Sequence, residues 1–272
     1  MSRANGVILW RGPSLIDGAP IVALAVGLAS KSSNSKTGAM LQTYILCDDV
    51  SPTLAVKSGA DVSICGNCSK RGDGSGKGRE CYVNVGQGPL GVWKAYKRGR
   101  YPSAVASTGF PRAALAGIGA GRIVRLGTYG DPAAVPAGVW RALVSRAVGH
   151  TGYTHQWRQS WAAPLRDLCM ASADTEAEAL AARATGWRTF RVAMPYDAPR
   201  MPTESICPAS AEAGKKLQCA QCLACSGARD GRRGSIVIQA HGGFAVMANV
   251  GKRAAAMLAA SHSPPQAWSL TI

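Results

Sequence analysis

Apolar residues form three short runs in the first fifty positions of the chain. The runs are "GVILW", "PIVALAVGLAS" and "MLQTYILCDD", and each is bounded by segments rich in Gly, Pro, Ser and Asn. Short apolar or alternating runs between turn-forming segments are typical of β-strands. The pattern predicts a β-rich N-terminal layer over residues 1–60. This layer is followed by a short helix in "SPTLAVKSG" with Pro52 at its first helical position.

From about residue 120 the pattern changes to alternating strands and helices. The predicted strands are "RIVRLGTYGDP", "HTGYTH", "CMASA" and "WRTFRVAM", and the predicted helices are "VPAGVWRALVSRAVG", "RQSWAAPLRDL" and "DTEAEALAARATG". The last helix has a capping box of Thr175 and Glu178 at its start and Gly186 at its end. Repeated strand-then-helix units indicate a parallel sheet with right-handed crossovers.

We therefore expect a single α/β domain whose core is a parallel-stranded, partial TIM-like barrel. The barrel core and a cysteine-containing loop occupy residues 61–200, behind the β-rich N-terminal layer. Residues 201–272 form a cysteine-rich insertion, then one or two strands in "GSIVIQAHGGFAVMANV" and a closing helix in "GKRAAAMLAA". A chain of 272 residues that is 47% hydrophobic is long enough to bury a substantial core without disulfides.

Seven of the nine cysteines fall into two groups with short spacings. The first group is C-x2-C-x12-C and the second is C-x11-C-x2-C-x2-C; their members are Cys65, Cys68 and Cys81, and Cys207, Cys219, Cys222 and Cys225. Two residues between cysteines let one turn direct both sulfurs at one metal centre. The N-terminus has no export-signal pattern, so we expect a cytoplasmic protein, whose thiols stay reduced. Cys47 and Cys169 lie in apolar strands and are interpreted as ordinary buried residues.

Two metal assignments compete for these cysteines. With zinc, the four-cysteine group is a closed tetrahedral site and the three-cysteine group takes His155 or His241 as its fourth ligand. With iron and sulfide, the four-cysteine group holds one 4Fe–4S cluster and the three-cysteine group holds another with one iron open. The run C-x2-C-x2-C favours the cluster, because three closely spaced thiolates wrap a cube more easily than they surround one small ion.

The chain is strongly basic, with 31 Lys and Arg against 15 Asp and Glu and a net charge of +16. Residues 61–125 contain eleven basic and three acidic residues. This concentration favours nucleic acid or a phosphorylated substrate as partner, although a solvated basic face is the alternative. Trp93, Tyr96 and Tyr101 lie among these cations and are candidates for stacking on bases. The alternative is that Trp93 and Tyr96, at helical spacing, form one core-facing stripe. No apolar run is long enough to predict a membrane partner.

The order of these motifs resembles the radical S-adenosylmethionine superfamily. Tyr82 directly follows Cys81, a "GTYGDP" turn ends a downstream strand, and Ser172 ends "CMASA". The chain is also similar to uncharacterised bacteriophage proteins in which a cysteine-plus-"CY" group precedes a "GD" turn and a "YTH" strand, here "GYTHQW". The superfamily's usual spacing is C-x3-C-x2-C, which differs from the spacing in this chain.

The resemblance implies a 4Fe–4S cluster on the first cysteine group and an auxiliary cluster on the second. It also implies that Ser172 contacts a ribose and that the turn positions S-adenosylmethionine through Gly127, Tyr129, Gly130, Asp131 and Pro132. Asp131 either binds a substrate amine or caps the following helix. His155 is a candidate ligand, proton donor or base-stacking residue.

Two functions stay open at this point. One is a radical-S-adenosylmethionine-like enzyme that acts on nucleic acid or a nucleotide and requires an electron donor. The other is a non-catalytic phage protein that binds nucleic acid and uses zinc or an iron–sulfur cluster for structure only.

Overall fold

The computed structural model describes residues 4–30, 32, 34–104, 111–194, 200–214, 217–228, 234–241 and 244–261. Within these residues the chain forms a mixed α/β fold with two five-stranded sheets. The strands are β1 (Gly6–Pro13), β2 (Pro20–Val26), β3 (Leu41–Cys47), β4 (Ile123–Tyr129), β5 (Gly149–Thr151), β6 (Tyr153–Thr154), β7 (Met170–Ala173), β8 (Thr189–Ala193), β9 (Glu204–Ile206) and β10 (Ser235–Gln239).

The first sheet has the order β1-β2-β3-β4-β5. Strands β1, β2 and β3 pair antiparallel, which confirms the three N-terminal strands, whereas β3, β4 and β5 pair parallel. Residues 21–25 of β2 are completely buried, so this strand is apolar throughout its centre. The N-terminal layer is therefore continuous with the parallel part of the same sheet.

The second sheet is entirely parallel and has the order β6-β7-β8-β10-β9. Only Gly152 separates β5 of the first sheet from β6 of the second. The backbone N–H of Gly152 donates to the Cys225 carbonyl at 3.0 Å, and its carbonyl accepts from the Met170 N–H at 2.9 Å. The segment predicted as one strand, "HTGYTH", is thus shared between the two sheets.

Eight α-helices lie in the described part of the chain. They are α1 (Pro52–Ser58), α2 (Val62–Cys65), α3 (Gly88–Lys97), α4 (Arg112–Gly119), α5 (Ala137–Val144), α6 (Glu176–Ala184), α7 (Cys219–Cys222) and α8 (Phe244–Ser261). Helix α6 begins as predicted, since the Thr175 hydroxyl accepts from the Glu178 N–H at 3.1 Å. Among the described residues, no helix combines the length and apolar character needed to cross a bilayer.

Two predicted elements are wrong. The segment "RQSWAAPLRDL" contains only a 3-10 helix, Ser160–Leu165, because Pro164 lies inside it and supplies no N–H for an α-helical hydrogen bond. The apolar run "FAVMANV" begins α8 and is not a strand. A short apolar run by itself does not distinguish a strand from a buried helix, and here the alanine-rich continuation decides for the helix.

One hydrophobic core runs beneath both sheets, from Leu9 and Ile21 to Trp140 and Trp187. Cys47 and Cys169 belong to this core, which confirms their interpretation as buried residues. A second, smaller cluster contains Met170, Cys207, Cys225, Ile236 and Ile238. Part of the second cysteine group is therefore packed against the parallel sheet.

Candidate functional site

A cavity of about 600 Å³ is lined by strands of both sheets. Alternate residues of a strand point to the same face, and here they point into the cavity. Four strands each contribute two alternate residues to the cavity lining: Gln42 and Tyr44 of β3, Arg125 and Gly127 of β4, Phe190 and Val192 of β8, and Ile238 of β10 with Ala240 just beyond it. All seven cysteines of the two groups also line this cavity. The structure thus brings together two cysteine groups that lie far apart in sequence.

The first cysteine group begins in a tight turn after α2. Gly66 has φ 54° and ψ −130°, a conformation that side chains other than glycine rarely adopt. A Cβ at Gly66 would lie 2.6 Å from the side-chain amide of Gln156. Gln156 donates to the Cys65 carbonyl at 3.1 Å and accepts from the Asn67 N–H at 3.4 Å. Gly66 and Gln156 together fix the turn that carries Cys65 and Cys68.

The loop between Cys68 and Cys81 is folded and is more than the flexible spacer that its glycines suggest. The Asp73 carboxylate accepts from the N–H groups of Ser75 at 2.8 Å and Lys77 at 3.2 Å. At the end of the loop, the buried Glu80 carboxylate lies 3.3 Å from Lys70 Nζ and 2.9 Å from Arg253 Nη2 of α8. These ion pairs hold the residue next to Cys81 in place.

The second cysteine group is attached to both sheets. Cys207 directly follows β9, and its N–H donates to the Val237 carbonyl at 2.8 Å. Cys219 and Cys222 are the two ends of α7, and the Cys219 N–H donates to the Lys36 carbonyl at 2.9 Å. The Cys225 carbonyl binds the glycine that joins the sheets. The predicted insertion is therefore an integral part of the cavity wall.

Burial raises the pKa of most thiols in the two groups. The pKa of Cys65 lies well above its ordinary value because of burial and because Cys68 and Cys81 are close to it. Burial raises the pKa of Cys225 to about 12. These thiols are protonated at neutral pH in the metal-free protein, so metal uptake must release protons. Within the described ranges, no three His, Cys, Asp or Glu side chains are arranged as ligands of a single metal ion.

The hydroxyl of Tyr129 is a buried donor without a hydrogen-bond partner in the described part of the protein. Its pKa is raised by burial and, next in importance, by the nearby thiol of Cys65. A buried hydroxyl that lacks a partner is costly unless a ligand supplies the acceptor. A sulfur atom of a cluster on the first cysteine group would supply it, so the residues here fit an iron–sulfur cluster.

Asp131 caps the 3-10 helix Pro132–Ala134, which confirms one of the two interpretations of this residue. One carboxylate oxygen accepts from the Ala133 N–H at 2.9 Å, and the other accepts from the His155 N–H at 2.8 Å. The side chain is buried, and burial raises its pKa. Asp131 therefore links the turn after β4 to the segment after β6 by hydrogen bonds to the backbone.

Residues 127–131, at the end of β4 and in the turn after it, line the cavity, whereas Pro132 is not among the lining residues. Gly130 has φ 83°, and a Cβ there would lie 2.7 Å from Ile45, so this glycine is needed for packing against β3. The Gly127 N–H donates to the Thr43 hydroxyl at 2.9 Å, and the Thr128 hydroxyl donates to Gln42 at 2.6 Å. The protein itself thus binds these two groups, and the contact of the turn with S-adenosylmethionine stays a prediction.

His155 and Ser172 also line the cavity. The Nε2 atom of His155 lies 3.7 Å from the Cys68 sulfur. Burial lowers the pKa of His155, but the nearby Cys68, together with Asp174 and Asp131, outweighs burial and raises the pKa to about 9. Ser172 lies in β7, where its carbonyl accepts from the Trp157 indole at 3.0 Å. The predicted residues Asp131, His155 and Ser172 are thus grouped near the first cysteine group.

Arg125 is a cavity residue that the sequence reasoning missed. It lies in β4 between the buried residues Val124 and Leu126, on the opposite face of the strand. A signal was present in "RIVRLGTY", because an arginine at an alternating position within an apolar strand points to the face opposite the core. Lys36, in the loop before β3, was missed as well and lines the same cavity.

The basic helix α3 begins at the cavity, since Gly88 and Pro89 line it. Trp93 donates its indole N–H to the Cys47 carbonyl at 3.3 Å, and the Tyr96 hydroxyl donates to the Asp48 carboxylate. Both rings pack against the main core, as Tyr101 does, which confirms the interpretation as a core-facing stripe. The cations near the end of the helix are exposed: Lys94, Lys97, Arg98 and Arg100.

No family model matches the chain, and neither a curated protein nor a solved structure matches it. Function is therefore inferred from the cavity and from the residues that line it.

Proposed function

We propose that the chain is an iron–sulfur protein in which both cysteine groups hold clusters at one cavity. The observation that supports this most strongly is that seven thiols line a cavity of about 600 Å³. A zinc ion binds four ligands at about 2.0–2.3 Å and requires no cavity of this size. A four-iron cluster is much larger and needs space between its cysteines.

Each cysteine group would hold one of the two clusters. Cys65, Cys68 and Cys81 would hold the first cluster and leave one iron open, and the second would be held by Cys207, Cys219, Cys222 and Cys225. Tyr129 would donate a hydrogen bond to a sulfur of the first cluster, which satisfies its buried hydroxyl. Such a cluster supplies one-electron transfer at a potential that hydrogen bonds and solvent access adjust.

The finer proposal is a radical-S-adenosylmethionine-like enzyme with a partial barrel that acts on nucleic acid or a nucleotide. Two observations support the curled sheet: Gly152 alone separates β5 from β6, and alternate residues from both sheets line the same cavity. A cavity that holds His155 and the exposed ring of Tyr82 beside two cysteine groups supports catalysis, because ligand sites are concave and combine aromatic surface with a few polar groups.

The enzyme proposal is tested with S-adenosylmethionine and a chemical reductant. Protein purified without oxygen is incubated with both, and the methionine released is measured by chromatography. We expect release by the wild type and none by the Cys65→Ala/Cys68→Ala/Cys81→Ala variant, which lacks ligands for the first cluster. Iron-replete wild type that neither binds nor cleaves the compound would contradict the enzyme proposal. The non-catalytic nucleic-acid-binding alternative would then take its place.

Nucleic-acid binding through α3 should depend on salt. The Lys94→Ala/Arg98→Ala variant removes two exposed cations at the end of a helix that begins at the cavity. If both contact phosphates, the slope of log binding constant against log salt concentration for single-stranded DNA or RNA falls by roughly 1.5. The slope is measured by fluorescence anisotropy between low and physiological salt.

The matched control is Arg112→Ala/Arg146→Ala, which removes two exposed arginines outside α3. We expect its slope to equal that of the wild type. Equal changes in the two double variants would mean that only net charge acts, and this would contradict a binding track along α3.

A further inference from the structure

Four side chains form a continuous cationic and aromatic wall on one side of the cavity. The rings of Tyr82 and His241 stack with centroids 5.5 Å apart and an interplanar angle of 24°. The Lys36 ammonium donates to His241 Nε2 at 3.0 Å. At the other end, the Arg125 guanidinium lies near the Tyr82 hydroxyl, and both residues line the cavity. One stacked ring pair is thus flanked by a cation at each end; we call these four residues the cationic wall.

The partners of His241 fix its neutral form. Its Nδ1 lies 3.0 Å from the Gln239 carbonyl, so Nδ1 carries the proton and donates. The Nε2 atom is then the acceptor for the Lys36 ammonium, which has no acceptor capacity of its own. The positive charge of the wall therefore resides on Lys36 and Arg125, while His241 contributes a neutral ring.

Arg125 has no carboxylate partner among the residues that the structure describes. Its Nε atom is buried without a hydrogen-bond partner. After burial, the groups that most affect the pKa of Arg125 are two phenols and a thiol, those of Tyr82, Tyr153 and Cys219. A buried guanidinium without an anion is unfavourable, because the lost hydration is not replaced. Arg125 is therefore prepared to receive an oxyanion.

The carboxylates that line the cavity are already engaged elsewhere. Lys70 Nζ lies 3.3 Å from the Glu80 carboxylate and 3.1 Å from that of Asp174. The oxygens of Asp131 accept from backbone N–H groups. The anion that complements Arg125 is therefore not one of these carboxylates.

Aromatic surface is available beside these cations. Tyr82 is 54% exposed although it lies on the cavity wall, so a large part of its surface is open to a ligand. Tyr153 and Phe190 form a second ring pair in the same cavity, with centroids 4.8 Å apart. Rings of this kind bind nucleobases by stacking.

We propose that the cationic wall binds one nucleotide unit, with its phosphate on Arg125 and Lys36 and its base against Tyr82. The inference rests on the proposed function and names the part of the nucleic acid that enters the cavity. Phosphate suits two cations, and a planar guanidinium can donate two parallel hydrogen bonds to it. The exposed cations of α3 would bind the phosphates that stay outside the cavity.

The test compares each of the four 5′-mononucleotides with its nucleoside, which lacks only the phosphate. Binding to the full chain, purified without oxygen and of known iron content, is measured by isothermal titration calorimetry. In the wild type we expect the nucleotide to bind at least about tenfold tighter than the nucleoside. Arg125→Gln should reduce this ratio to near one, because glutamine keeps a polar side chain but carries no positive charge to bind the phosphate.

Arg112→Gln is the matched control, since it makes the same change on an exposed arginine that lies outside both α3 and the cavity lining and should leave the ratio unchanged. Lys36→Gln is the second variant, and we expect it to lower the ratio as well. It keeps the proposal testable if the Arg125→Gln protein does not fold. A ratio near one in the wild type, or an unchanged ratio in both cavity variants, would overturn the proposal. Loss of S-adenosylmethionine binding in Arg125→Gln with an unchanged nucleotide ratio would also overturn it, because the oxyanion would be the cofactor's carboxylate.

The nucleotide ratio and the iron content are separate measurements on the same sample. Iron-free protein with the expected ratio would refute the cluster proposal and leave the cationic wall intact. Iron-replete protein that binds the nucleotide no tighter than the nucleoside would refute only the proposal that the cationic wall binds a nucleotide.

Discussion

Replacement of Glu204 by glutamine is expected to lower the free energy of unfolding by about 3–5 kcal/mol. The Arg191 guanidinium donates to both carboxylate oxygens of Glu204, at 2.9 and 2.8 Å, and neither side chain is exposed. The Met201 N–H donates to the same carboxylate at 3.0 Å. Glutamine retains the shape but removes the carboxylate charge that faces this buried guanidinium. The loss is measured by urea denaturation.

The control for this prediction is Asp167→Asn. Asp167 also forms a two-bond ion pair, with Arg141, but the two side chains are 40% and 47% exposed. Exposed ion pairs contribute about 0–1 kcal/mol, so we expect a change of that size at most. Similar losses for Glu204→Gln and Asp167→Asn would contradict the claim that the buried pair joins β8 to β9. Because β9 leads directly into Cys207, the buried pair also supports the second cysteine group.

The second large effect is the loss of metal from variants of either cysteine group. We expect about eight iron and eight sulfide per chain in the wild type, and about four of each in Cys65→Ala/Cys68→Ala/Cys81→Ala. The Cys219→Ala/Cys222→Ala variant should lose the other four, because α7 supplies these two thiols to the opposite part of the cavity wall. Iron is measured by mass spectrometry and sulfide by a colorimetric assay.

Cys169→Ala is the matched control for the cysteine variants. Cys169 is completely buried in the main core and does not line the cavity. Its replacement should leave iron and sulfide unchanged, even though it removes a buried sulfur. Loss of iron from Cys169→Ala as large as that from the grouped cysteines would mean that iron content reports protein stability and not ligation.

The elements that the sequence predicts well are those with local causes. Strands β1 to β3 follow from apolar runs between turn residues, and α6 follows from the Thr175 cap and the glycine after it. The cysteine spacing likewise identifies two groups whose members are held by short local turns. The prediction failed at Phe244, where an apolar run suits a strand and a helix equally well.

The shared cavity could not be predicted from local patterns. It depends on β8 pairing with β10, although about forty residues separate them, and on the junction at Gly152. Cys219 is held at the cavity by its backbone bond to the Lys36 carbonyl, which no local pattern indicates, and only the fold shows that Asp131 is engaged by backbone N–H groups. The resemblance to the radical S-adenosylmethionine superfamily suggested both cysteine groups as cluster sites, but it gave no indication of the cationic wall.

The most direct test of the central claim is iron and acid-labile sulfide analysis, with an absorption spectrum, of wild-type protein purified without oxygen. The cluster proposal predicts about eight iron and eight sulfide per chain and broad visible absorption that bleaches on reduction. Zinc without sulfide and without visible absorption would contradict it, and the cysteine groups would then be zinc sites.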